Sequence, residues 1–140
     1  MAGPCQRSMM LTQRSEDYSK LSKSTLNLSP EILSVDIVDY NGDFLARSVK
    51  PNIKDTLGID TNLAKRWAMW TVLLVGLAKQ FDDVLTETQF IVIGRKNFKR
   101  LLIPLPSHDI VLGLVLSRSA EASEFNDKIR MFLKSGSQNG

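Results

Sequence analysis

The sequence predicts a layered α/β (α+β) sandwich: a five-stranded antiparallel sheet, a long helix between strands 2 and 3, and flanking N- and C-terminal helices. Three observations lead there. Two β-prone runs meet at Asn41-Gly42, a long apolar segment with helical spacing begins near residue 62, and three more β-prone runs precede a last stretch of helical periodicity.

In chain order, residues 1–14 mix Gly, Pro, Gln, Ser and Arg with Met9, Met10 and Leu11 in no clear period, as in a flexible leader. Residues 15–134 form a single domain. Ser15 is placed to N-cap a short polar helix with thin apolar cover from Tyr18, Leu21 and Leu28. Ser34 to Tyr40 and Asp43 to Val49 flank Asn41-Gly42, a dipeptide that favours positive φ at both positions of a tight hairpin. Lys50-Pro51 ends the second strand, because proline has no amide proton and restrains the residue before it. A loop through Gly58 then reaches Asp60, Thr61 or Asn62, any of which caps a helix running to about Val84 or Leu85. Leu63, Trp67, Trp70, Leu74, Leu77, Phe81 and Leu85 step by four and three, a stripe expected to face the sheet. Gln89 to Arg95, Lys99 to Leu105 and Ile110 to Ser117 read as an antiparallel meander, with Pro104 awkward for a central strand. Phe125, Ile129, Phe132 and Leu133 recur at helical spacing, so a helix from about Ala122 to Lys134 closes the domain before a flexible tail, residues 135–140.

Composition limits the function. In 140 residues, 43% are hydrophobic and 24% charged, enough to bury one core. A net charge of +3 is too small to announce an anionic partner unless it is clustered. One cysteine, Cys5, allows no intramolecular disulfide, and with one histidine a transition-metal site would have to be built mostly from carboxylates, which no clustered spacing supports; no metal and no cofactor are expected. The opening residues lack the apolar run of a secretory signal, and the longest apolar run, Trp67 to Ala78, is far short of a membrane span, so a cytoplasmic location is expected.

Nothing in the sequence assembles catalytic chemistry. His108 sits between Ser107 and Asp109, but neighbours in sequence do not make a triad, which must converge in space. Asp36 and Asp39 fall on opposite faces of a strand and read as solvated strand and turn residues. The glycines are isolated and build no phosphate loop. The expectation is a protein that is not an enzyme.

Two surfaces remain. The long helix is apolar around most of its circumference, and a sheet covers only one side. Met69, Val72, Leu73, Val75 and Gly76 are left after the sheet-facing stripe is assigned, and Gly76 permits close approach of another helix. An apolar patch of that kind marks an association surface, here a pairing of the helix with its own copy. The second surface is a hairpin tip in which Arg95, Lys96, Lys99 and Arg100 surround Phe98. It is a possible partner or anion patch; a single aromatic disfavours nucleic-acid binding, and charges guarding an edge strand are the plainer reading.

The order of elements, with VDIVDYNGDFLAR at Val35 to Arg47 restating strand, polar-Gly turn and strand, resembles the roadblock family of dynein light-chain-like domains, closest to its short archaeal members. The resemblance spans about Ser15 to Leu133. It implies a non-enzymatic module that homodimerises through the long helix and the strand after it, which adds Phe90 and Val92 to the interface, and that binds small Ras-like GTPases or larger scaffolds. The alternative is a ligand-sensing module of PAS or profilin type, with a small apolar pocket lined by Trp67, Trp70 and Phe90. A nucleic-acid accessory role through the basic turn comes last.

Overall fold

A computed structural model describes residues 16–53 and 61–139. The leader, the Ser15 cap and the loop through Gly58 lie outside the described residues.

Helix α1 covers residues 16–26. It is followed by β1 (Ile32–Asp39), β2 (Phe44–Val49), α2 (Thr61–Lys79), a four-residue helix α3 (Asp82–Leu85), β3 (Ile91–Gly94), β4 (Phe98–Leu105), a 3-10 turn (Pro106–His108), β5 (Ile110–Ser117) and α4 (Ala122–Asn139). The five strands form one antiparallel sheet in the order β2-β1-β5-β4-β3. The two hairpins therefore lie side by side, and β5, last in sequence, closes against β1. The expected fold class is the observed one. Two details differ. The closing helix continues to Asn139 where a tail was expected from Ser135, and the helix after β2 is interrupted near Gln80, with α3 as a separate turn.

The first hairpin turns on Gly42, whose φ is +85°, while Asn41 is not among the described residues of positive φ. The amide of Gly42 donates to the carbonyl of Asp39 at 3.1 Å, and Asp39 N–H donates to Asp43 O at 3.1 Å. Three residues thus bridge the strands, with glycine in the left-handed position that a side chain resists. Asp39 Oδ1 accepts from the amides of Asn41 and Asp43, at 2.9 and 3.0 Å, and holds the turn shut.

Strand alternation divides the core in two. One face presents Val35, Ile37, Leu101, Ile103, Leu112, Leu114 and Leu116 to α1 and α4, where Leu26, Phe125 and Ile129 complete a continuous cluster. Each fully buried aliphatic side chain here stabilises the fold by roughly 1.5–3 kcal/mol. The other face packs Leu102 and Val111 against Val75 of α2, flanked by Leu74, Ile91 and Ile93. Pro104 is accommodated at the strand's end: it pairs with Val111 of β5, while β3 begins opposite Leu102, so no strand flanks Pro104 on that edge. There Arg130 of α4 donates to the carbonyl of Gln89 at 2.7 Å and ties the start of β3 to the opposite layer.

Candidate interaction surface

Helix α2 meets the sheet with small side chains. Ala68, Thr71 and Val75 are buried and Ala64 is half-buried, and Thr71 returns its hydroxyl to the carbonyl of Trp67 at 2.9 Å. The bulk points away: Met69, Trp70, Leu73 and Leu77 are exposed, Trp70 and Leu77 at 60%. Past the end of the helix Phe81, Val84 and Leu85 are exposed as well. This corrects the expected orientation. Of the stripe assigned to the sheet, only Trp67 and Leu74 are partly covered, while Val75, assigned to the free face, is 0% exposed in the core. Hydrophobicity alone could not choose between two apolar sides. Size decides, because small residues let the helix axis approach the sheet closely. Of the remaining residues assigned to the free face, Val72 is half-buried, Leu73 is exposed, and a Cβ added at Gly76 would meet nothing within 4 Å.

Under α2 lies a buried ion pair that the sequence reading missed. Asp36 of β1 and Arg100 of β4 flank Gly113 of β5 across three adjacent strands. Arg100 donates Nη1 to Asp36 Oδ1 at 2.7 Å and Nη2 to Oδ2 at 2.8 Å, a bidentate pair in which each residue is 3% exposed. Trp67 caps it from α2, with Arg100 Cζ 4.5 Å from the ring centroid. Gly113 makes the room: a Cβ there would lie 2.6 Å from Arg100 Nη2 and 2.7 Å from Asp36 Oδ1. Arg47 of β2 stands opposite Asp36; burial lowers its pKa from the ordinary value, Asp36 opposes that shift, and Arg100 adds to it. The pair was legible only as an aspartate inside an apolar run, Val35 to Val38, and a glycine inside another, Val111 to Leu116.

The basic hairpin tip is accordingly not one patch. Arg95 and Lys96 are exposed in the turn, but Arg100 belongs to the buried pair, Lys99 Nζ donates to the carbonyl of Ala120 at 2.8 Å, and Phe98 is half-buried at the start of β4. Alternation along β4 sends Lys99 and Arg100 to opposite faces and removes both from the tip. Asp36, read as solvated, is corrected with Arg100.

Beside α2 runs a groove of about 310 Å³ between the helix and the β3–β4 hairpin. Trp67, Trp70, Leu74 and Ile93 line it, and Arg66 and Arg95 stand along it, both exposed. Its outer wall is the edge strand β3, which pairs with β4 alone; Val92 is exposed, but alternation with groove-lining Ile93 turns its side chain to the other face of the sheet. Phe90, placed with this surface by the sequence, packs on the opposite face against the α1/α4 core. A pocket enclosed by Trp67, Trp70 and Phe90 therefore does not form, since the sheet separates Phe90 from the tryptophans.

Elsewhere, Ser107 Oγ lies 3.1 Å from His108 Nδ1 in the exposed 3-10 turn. Among the described residues no group of three or more His, Cys, Asp or Glu side chains is placed to hold a metal ion. No described helix is long and apolar enough to cross a membrane.

No protein-family model and no curated protein matches the chain by sequence. Solved structures match by shape. A Roadblock/LC7 domain from Streptomyces avermitilis superposes with a TM-score of 0.64 at 15% identity, covering 84% of this chain and 92% of that one. MglB in a tetrameric arrangement gives 0.63 at 13% identity, over 92% of this chain and 87% of that one. The gliding protein MglB from Thermus thermophilus gives 0.60 at 12% identity, with the same coverage.

Proposed function

We propose that this chain, which has the roadblock/LC7 fold, is a non-enzymatic interaction module that acts as a homodimer built on α2 and β3 and offers the assembled surface to a small Ras-like GTPase or a scaffold protein. The observation that carries the reading is the outward side of α2. Met69, Trp70, Leu73 and Leu77 form a continuous exposed apolar face, extended by Phe81, Val84 and Leu85 and bordered by the unpaired edge of β3. An isolated domain rarely leaves so much contiguous apolar surface in water, and a two-fold pairing of identical faces covers it on both copies at once. The GTPase or scaffold is the partner class that the roadblock resemblance implies.

Size-exclusion chromatography with light scattering tests the dimer. The expected mass is twice the 15.7 kDa of the chain, falling to that of a folded monomer in Leu73→Glu and Leu77→Glu, whose side chains are exposed within one copy and so are not needed to fold it. A wild-type monomer would contradict the reading. Titration of the wild-type dimer with small Ras-like GTPases in their GDP- and GTP-bound forms tests the partner class separately, and absence of binding in both states would remove that class.

A further inference from the structure

The face proposed above for self-association is uneven: one end is hollow and the other end protrudes. The hollow is the groove at the N-terminal half of α2, walled by Trp67, Trp70 and Ile93 and bordered by Arg66 and Arg95. The protrusion follows the C-terminal end, where Phe81 is 60% exposed beside the exposed acids Asp83 and Glu87. Aromatic bulk and negative charge thus sit at one end, and an apolar hollow with positive charge sits at the other.

We propose that the groove is the socket for Phe81 of a second copy, with Asp83 and Glu87 of that copy set against Arg66 and Arg95. The inference rests on the α2/β3 dimer and adds the register in which the copies meet. A two-fold axis that pairs edge strand β3 with itself passes through the middle of Ile91–Gly94. Ile93 lines the groove together with Leu74, and Leu74, Ile91 and Ile93 all pack on the buried cluster of Val75, Leu102 and Val111, which sets this axis near Leu74. Two antiparallel copies of α2 about that axis match each residue with one equally far beyond it. Leu77 then meets the neighbourhood of Trp70, and Phe81 arrives level with Arg66 and Trp67. Both halves of the fit come from the same surface, as an isologous interface requires. A flat aromatic entering an apolar hollow ringed by complementary charge is the arrangement that dominates binding energy at protein interfaces.

The chain contains two tryptophans, and both line the groove, so intrinsic fluorescence reports its occupancy. Dilution of the wild type should shift tryptophan emission to longer wavelength with the same midpoint as the loss of dimer mass. Phe81→Ala should weaken the dimer at least about tenfold and remove most of that shift, while the melting temperature of the dissociated monomer stays unchanged because Phe81 is exposed in one copy. Arg66→Glu and Asp83→Lys should each weaken the dimer, and the two together on one chain should restore it. A wild-type dimer whose affinity and emission ignore Phe81→Ala, with no rescue in the double variant, would overturn the socket while leaving the dimer in place. A wild-type monomer would overturn the reading on which the socket rests. Should an acidic aromatic peptide bind the groove of the wild-type dimer without dissociating it, the groove is open in the dimer and the socket is likewise overturned.

Discussion

At the residue scale, Gly113 holds more of the fold than its size suggests. Its missing side chain leaves the space in which Arg100 and Asp36 lock β4 to β1 across β5. Gly113→Ala forces a methyl carbon within 2.6 Å of the guanidinium, and a cost of about 2 kcal/mol or more is expected from overpacking at so rigid a site. Removing one charge should cost more. Asp36→Ala strands a buried guanidinium and should destabilise the domain by about 3–5 kcal/mol, whereas Asp36→Leu with Arg100→Met should recover most of that loss, since paired apolar replacements carry no desolvation penalty. Chemical denaturation of the two single variants and the double variant measures the coupling; additive losses would show that the pair is not the unit described here. Thr86 is a different case. Its φ of 72° and ψ of 174° fall in a region that is nearly reserved for glycine. The contacts that hold it there include Asp82 Oδ1, which accepts from Thr88 Oγ1 at 2.6 Å and from Thr88 N at 3.1 Å. Thr86→Gly should therefore raise stability by about 1 kcal/mol, read from the unfolding midpoint, and an unchanged or lowered midpoint would show that no strain is stored at this position.

Among the elements, α2 decides both packing and association, and its two sides predict opposite phenotypes. Val75→Glu buries an unpaired charge where exposure is 0% and should unfold the domain, because an uncompensated buried carboxylate costs several kcal/mol. Leu73→Glu, two residues earlier, should leave the monomer folded. Circular dichroism of both variants separates the sides, and a folded Val75→Glu would mean the helix is rotated from the orientation described. The existence of α2 and its apolar character were legible in the sequence because period and composition agree over its 19 residues, about five turns, but its end at Lys79 was not. Nor was its rotation. A stripe of Leu and Trp at spacings of three and four was matched by a second stripe of Ala, Thr and Val, and burial favoured the smaller set. The same limit explains the basic turn: charge was visible along Arg95 to Arg100, but the partner that draws Arg100 inward, Asp36, is 64 residues away.

For the whole molecule, strand order followed from pieces that were each visible: two hairpins, one connecting helix and a closing helix. The antiparallel junction between β1 and β5 was not visible in any one segment, since it depends on the first and last strands meeting at the centre. That junction puts β2 at one edge and β3 at the other; the β1–β2 turn packs against Met69 of α2 at Gly42, whereas β3 borders the groove beside the helix. The two edges therefore meet different fates on assembly. Hydrogen–deuterium exchange at protein concentrations above and below the dimer dissociation constant tests this most directly. Slower exchange at the higher concentration in Ile91–Gly94, with no change in the β2 edge at Phe44–Val49, is the predicted result; equal exchange at both concentrations, or protection confined to β2, would contradict it.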